Sequence, residues 1–529
     1  MSNFKILDCT LRDGGYVNDW NFGKKTVVKV LCGLANAGID IVEIGFLSEC
    51  QYDKNKTVFN SISQIDELLP NQSSCKYVLM IALGEKEIAC ENVPLRNGGP
   101  IWGIRLTFHK NEIKRAFEYA SDLMDKGYVV FMQPIGTVAY KEDEFLHLIE
   151  KINCLKPYAF SIVDTLGNIT ANELIRLFRM ADKNLVEGIR IGFHAHNNLQ
   201  LAFSNAQELI NEHSDREVII DSSIIGMGRG AGNLCTELIA RYMNTKLKSN
   251  YNVTALLEVI DKYLISIQTE FTWGYSVPYY ISAVNNCHPN YATYLMNLQT
   301  VNVSDIEKVI GMIPVEERTV FNKKCIENLY KEYQSHYVDD KETVFKLKGM
   351  FKDKNMLILA PGRTLVTESE KIYKYIEEKK PYIISINFVN EEYPINAVFI
   401  SNLKRFDLME FDVEEEKELI ITSNIDVAFS RQAHKINYLD YLCSDSRIAD
   451  NSGMMLMSLL RKCGIKNVVL AGFDGFKASY RDDYFERGFN LNVETDALLT
   501  KTRLIGEQIE MFGKDMNIQF LTTSQYAKN

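Results

Sequence analysis

Over the first 245 residues, short apolar runs alternate with segments whose apolar residues recur at helical spacing. The runs cover 4–10, 41–46, 77–83, 103–109, 128–135, 159–165, 188–196 and 217–226. Between them, 24–37, 58–69, 111–126, 142–154, 170–183 and 199–211 carry the 3.6-residue period of amphipathic helices. The stretch 84–102, rich in Gly, Pro and Asn, is the weakest crossover. This alternation predicts parallel strands joined by right-handed crossovers. Eight such units match the size of a closed (β/α)₈ barrel, about 250 residues. An open doubly wound sheet would favour a GxGxxG turn after the first strand, and none stands there. Residues 1–245 are therefore expected to form a TIM barrel.

Residues 246–345 read as a helical extension with an aromatic middle (271–280 and 287–291), placed on or over the barrel mouth. Its charged end, 337–348, reads as a linker. A second α/β pattern follows, with strands at 356–360, 382–388, 397–401, 418–423, 467–472 and 518–522 and helices at 367–379, 453–463 and 497–512. It predicts an open-sheet, three-layer, Rossmann-like domain over 346–529. The acidic cluster Glu414-Glu415-Glu416 reads as solvated surface.

Composition narrows the class. A chain of 529 residues exceeds one core. A net charge of −10 argues against a nucleic-acid or anionic-membrane binder. No apolar run has transmembrane length and no signal pattern opens the chain. The 11 cysteines include no CxxC pair, which suits reduced thiols. A cytoplasmic protein is expected, and the aromatic extension suggests a homodimer.

In a barrel, chemistry belongs at the C-terminal ends of the strands. The polar groups there are Asp8, Arg12, Asp13, Glu43, Arg105, His109, Gln133, Asp164, His194 and His196, followed by the glycine-rich loop 226–233. On a strand, residues i and i+2 share a face, so His194 and His196 can reach one cation together. Asp13 supplies a carboxylate and Asn233 a neutral oxygen. That set suits Mn²⁺, Mg²⁺, Co²⁺ or Zn²⁺ and does not choose among them. Arg12 is either an ion-pair partner of Asp13 or an oxyanion stabiliser, and Glu43 can hold it in place.

Five segments carry a family resemblance: Asp8-Cys-Thr-Leu-Arg-Asp-Gly14, Val42-Glu-Ile-Gly45, Asp164-Thr-Leu-Gly167, His194-Ala-His-Asn-Asn198 and the loop ending Gly232-Asn233. They resemble the metal-dependent lyases and aldolases of the DRE-TIM metallolyase superfamily, which includes hydroxymethylglutaryl-CoA lyase, isopropylmalate synthase and 4-hydroxy-2-oxovalerate aldolase. The resemblance spans about residues 4–300. It implies a divalent-metal cofactor held by Asp13, His194 and His196, with Asn233 as a further ligand. It also implies a 2-oxo acid substrate handled as a pyruvate-type enolate, Arg12 as enolate stabiliser and Glu43 as its support. The 4-hydroxy-2-oxovalerate aldolases carry a histidine three residues after the metal aspartate, where this chain has Tyr16. The proton-transfer base is therefore open among Tyr16, His288 and Tyr279.

In the second domain, Leu359-Ala-Pro-Gly-Arg-Thr364 follows a strand and reads either as a phosphate-binding turn or as a plain tight turn. The stretches 451–454 and 467–476 resemble sialyltransferase-like α/β domains, with an assembly or channelling module as the plainer reading. The function expected is a metal-dependent carbon–carbon lyase of the aldolase type. The alternatives are an acetyl-CoA-dependent synthase and a non-catalytic scaffold for polysaccharide assembly.

Overall fold

The computed structural model describes residues 3–71, 73–409, 417–426, 432–477, 484–485 and 495–527. The cluster at 414–416 lies outside them. Two compact units emerge, one of Met1–Pro289 with Arg318–Phe321, the other of Asn290–Glu317 with Asn322–Asn529. Residues 246–345 are thus shared between the units.

The first unit is the expected TIM barrel. Its strands are β1 (Phe4–Asp8), β2 (Ile41–Leu47), β3 (Lys76–Ala82), β4 (Ile101–Phe108), β5 (Val129–Pro134), β6 (Ala159–Asp164), β7 (Arg190–Ala195) and β8 (Val218–Ser222). All neighbours pair in parallel, and β1 pairs with both β8 and β2, which closes the cylinder. Alternation along each strand decides what faces inward. Ile44, Ile104, Leu106, Ile191, Phe193 and Ile220 pack outward in the layer that includes the helices. The opposite parity sends Leu7, Ile41, Val78, Phe131, Ala159 and Ile219 into an apolar interior layer. Next along the same parity come Glu43, Arg105 and Asp221, and His194 follows on β7. The ring of polar residues at the upper end of the barrel is therefore dictated by period two and by strand register.

One predicted helix differs. Within 58–69, Val58–Phe59 adds a short strand beside Phe46 and Leu47, and a 3₁₀ helix, Ile62–Leu68, follows. A β-branched and an aromatic residue favour the extended form at the edge of β2, and the capping box from Ser61 to Gln64 starts the turn that follows.

The second unit holds an open parallel sheet of β9 (Met356–Leu359), β10 (Tyr382–Ile386), β11 (Ala397–Ile400), β12 (Glu418–Thr422), β13 (His434–Ile436), β14 (Asn467–Ala471) and β15 (Asn517–Phe520). Their order is β13-β12-β11-β10-β9-β14-β15. Met356 and Ile358 feed the core on one face, Leu357 and Leu359 that on the other, which makes the domain three-layered. The sequence pattern missed β13, whose three residues are too few to show a period. The charged stretch read as a linker is mostly the helix Lys341–Phe351, whose Leu347 and Phe351 are fully buried. Its charges occupy one side of a helix whose other side is core. Among the described residues, no helix is long and apolar enough to cross a membrane.

Candidate metal centre

Asp13 is positioned by a tight turn. Beyond β1, the amides of Arg12 and Asp13 both donate to the Cys9 carbonyl, at 3.1 and 2.8 Å. A Cβ on Gly14 would lie 2.2 Å from the Thr10 carbonyl oxygen, and one on Gly15 2.0 Å from the Trp20 ring. Only glycine permits that approach. Trp20 closes the turn by donating its Nε1 proton to the Arg12 carbonyl at 2.8 Å.

His194 lies at the upper end of β7. His196 follows just past it, in a backbone bridge to Asn233 of the glycine-rich loop. Asp13, His194 and His196 present ligand atoms that all lie within 4.8 Å of one another. Asn233 donates its amide to Asp13 Oδ2. Two acceptors at this point, His196 Nδ1 and Asn233 Oδ1, are buried without a hydrogen-bond partner. Orphaned buried acceptors are costly, and a carboxylate, two imidazoles and an amide oxygen form a donor set for a small divalent cation. The residues present therefore fit the cation. Burial pushes the His196 imidazole down to about 3 despite Asp13, so at neutral pH the ring is uncharged and one of its nitrogens keeps a lone pair for a cation. Burial alone would raise the Asp13 carboxyl. Arg12 above all, with both imidazoles and the Asn233 amide, outweighs it and holds the group well below the usual carboxylate range.

Behind these ligands runs a buried ionic chain. Arg12 Nη1 bonds Asp13 at 2.6 Å, and Arg12 Nε bonds Glu43 Oε2 at 2.7 Å. Arg105 Nη1 donates to the same Glu43 oxygen at 2.8 Å, and its Nη2 donates to Asp221. Asp221 in turn accepts from His194 Nδ1 at 3.0 Å, which leaves Nε2 facing the site. The chain Asp13–Arg12–Glu43–Arg105–Asp221–His194 thus orients two of the three ligands through alternating charges. Three carboxylates and two guanidiniums leave one net negative charge, which suits an incoming cation.

A cavity of about 130 Å³ opens over the ligands. Arg12, Tyr16 and His288 line it, together with Glu85, His109, Gln133 and Arg229. Glu43 stands behind Arg12 and does not reach it; Tyr279, on the helix Val277–Val284, is not among its lining residues. Asp8 turns to Thr236 and Asp164 to the amides of Asn168 and Ile169, so both shape loops. Burial raises both carboxyls to about 6. Tyr16 packs edge-on against Trp20, centroids 4.8 Å apart. Burial raises its phenol further, so it is suited to donating a hydrogen bond rather than to accepting a proton.

Sequence reasoning placed Arg105 at the barrel mouth without a role and passed over Asp221. A signal existed: an ionisable residue inside an apolar run needs a buried partner, and Arg105 and Asp221 are each other's. Thr319, Val320 and Phe321, which also line the cavity, come from a stretch with no sequence signal.

The glycine-rich loop is as tightly determined. Gly232 has φ +82, and a Cβ there would lie 2.0 Å from the Gly226 carbonyl oxygen. Gly232→Ala is expected to displace Asn233 and weaken Mn²⁺ binding about tenfold or more, read by calorimetric titration. Unchanged affinity would remove Asn233 from the ligand set.

In the second unit, the turn after β9 serves structure. The Thr364 amide donates to Asp474 at 2.8 Å, and the Gly362 amide donates to the Gly472 carbonyl at 3.1 Å, which locks the ends of β9 and β14 together. Ser452 and Gly453 line a crevice of about 210 Å³ at those ends.

Fold and site together define a TIM barrel with a candidate divalent-metal centre at the C-terminal ends of its strands. The profile of the HMGL-like family matches residues 105–262. The chain is 26% identical over 251 residues to 4-hydroxy-2-oxovalerate aldolase of Thermomicrobium roseum, covering 45% of this chain and 66% of the relative. It is 23% identical over 272 residues to the enzyme of that name from Geobacillus thermodenitrificans, covering 50% and 76%. With 2-isopropylmalate synthase of Oceanobacillus iheyensis it shares 24% over 274 residues, covering 47% and 49%.

Proposed function

We propose that the barrel unit makes or breaks a carbon–carbon bond through the enolate of a pyruvate-type 2-oxo acid, as a class II aldolase. The observation that carries this reading is Arg12. Its guanidinium spans Asp13 and Glu43 and also lines the cavity beside the metal ligands. A cation already anchored on one side is preorganised to meet negative charge developing on the other. Asp13, His194 and His196 would hold a divalent cation, which would supply Lewis-acid chemistry there. Glu43 and Arg105 position Arg12, and the burial of the whole chain keeps water from screening it.

Cleavage needs a base for the hydroxyl proton. Tyr16 is the wrong kind of group, and burial, with Arg229 adding to it, pushes His288 down to about 3, which makes it a weak base. His109 lines the same cavity, and its ring nitrogen lies 3.3 Å from Glu85. That hydrogen bond raises its pKa above the ordinary histidine value. A base acts deprotonated, so the cleavage rate should climb with pH through a limb above about 6.5. His109→Asn should abolish that limb. A limb near 3 instead would transfer the role to His288.

Incubating the Mn²⁺-loaded protein with 4-hydroxy-2-oxo acids should release pyruvate. Free CoA from acetyl-CoA plus 2-oxo acids, with no pyruvate from the first mixture, would overturn the aldolase reading in favour of a synthase.

A further inference from the structure

Arg229 differs from the other guanidiniums of this site. Arg12 and Arg105 are each clasped by carboxylates at hydrogen-bond distance. Arg229 also lines the cavity, yet among the described residues no carboxylate lies within ion-pair distance of it. Its recorded neighbour is the Tyr16 ring, 5.7 Å from the guanidinium carbon. Glu85, in the same cavity, is engaged with His109.

The loop holds Arg229 firmly at its tip. The Arg229 carbonyl accepts from the Gly232 amide at 3.1 Å, and the Ala231 amide is tied to Asn198 at 3.0 Å. Gly226, Gly230 and Gly232 all have φ between +62 and +82, a backbone that side-chain-bearing residues adopt only under strain. A cation held in place, partly removed from solvent and left without a counter-ion is unfavourable. The same arrangement becomes favourable once a ligand supplies the anion.

Two anions could reach it: the carboxylate of the 2-oxo acid and a charged group on the electrophile. Arg12, held between Asp13 and Glu43 beside the metal ligands, is placed for the first, whereas Arg229, against the Tyr16 ring and with no carboxylate of the described residues at ion-pair distance, is left for the second. We propose that Arg229 selects the electrophile, and that the aldehyde this barrel joins to the enolate carries a carboxylate or phosphate bound by Arg229 at the mouth of the site. This rests on the aldolase reading above. The step balances as an ordinary aldol addition. The enolate carbon forms a bond to the aldehyde carbon, the carbonyl π pair moves to its oxygen, and that oxygen takes one proton. The reverse step returns both. With about 130 Å³ available, the aldehyde is short-chained.

Two measurements separate the inference from the reading beneath it. The Mn²⁺-loaded full chain is first given pyruvate alone in D₂O, and loss of the methyl signal by NMR reports enolisation without any aldehyde. Aldol addition is then compared for glyoxylate, succinic semialdehyde and glyceraldehyde 3-phosphate against acetaldehyde and propionaldehyde. The expected result is a kcat/KM at least tenfold higher for one of the anionic aldehydes, carboxylate or phosphate being decided by which responds. Arg229→Met should collapse that anionic-over-neutral ratio about tenfold or more, and Arg229→Lys should restore part of it. Being a ratio, it is insensitive to a general loss of activity. Enolisation with no anionic preference, or an Arg229→Met variant that keeps the ratio but raises the KM for pyruvate in the exchange assay, overturns the inference and leaves the aldolase reading standing. Absence of exchange in the wild-type protein overturns both.

Discussion

Asp13→Ala is expected to abolish stoichiometric divalent-cation binding and to lower pyruvate proton exchange about a thousandfold or more. The magnitude follows from the several kcal/mol that a bound cation contributes to stabilising developing negative charge. Asp13 is the only carboxylate in the three-residue ligand cluster, and its loss also leaves Arg12 with a vacated partner. His194→Ala should fall nearly as far. Asp221→Asn should cost less, about ten- to a hundredfold in metal affinity, because it removes no ligand and acts through the orientation of His194 and the anchoring of Arg105. Metal content by plasma emission spectroscopy and exchange by NMR check the series. Wild-type protein lacking metal, with His194→Ala unchanged in activity and stability, would sink the metal centre.

Arg105→Met is expected to destabilise the barrel unit by about 3–5 kcal/mol, as for other buried ion pairs deprived of one partner. Arg105 has no exposed surface and joins Glu43 to Asp221. Without it, Asp221 loses its guanidinium partner in the barrel interior and Glu43 keeps Arg12 alone, so the carboxylates there outnumber the guanidiniums three to one. Adding Glu43→Gln and Asp221→Asn should recover much of the loss, since neutral amides remove the uncompensated charge. Urea denaturation of the single and triple variants measures both effects. A loss under about 1 kcal/mol in the single variant would show that the chain contributes little beyond orientation.

The two predictions also divide what was readable early from what was not. Asp13, His194, His196 and Arg12 could be read from local pattern alone. A strand's period of two puts His194 and His196 on one face, and a barrel brings the ends of all its strands together, so Asp13 and histidines 181 and 183 positions away become candidates for one site. The seven-residue opening Asp8–Gly14 carried its own turn chemistry in Gly14. Strand positions followed for the same reason, because apolar runs between helical segments leave few alternatives in an alternating chain.

Asp221, Glu85 and Arg229 were not readable that way. Their roles depend on which neighbour register and loop closure deliver, and no local period encodes that. Asp221 matters because β8 lies beside β7, where it meets His194, and because Arg105 reaches it across the barrel. His109 gains its raised pKa from Glu85, on a different loop. The 3₁₀ turn at 62–68 and the helix at 341–351 went astray for a related reason: edge pairing and core burial overrode composition. By itself, then, the sequence determined the barrel, because periodicity is a property of the backbone, and it put Asp13, His194 and His196 forward as candidate ligands, while the expected reaction class came from the resemblance of its motifs to a known family. Only the tertiary structure decided the ionic chain, the pairing of His109 with Glu85 and the placing of Arg229 in the cavity, because charged groups acquire their partners from groups brought close in space.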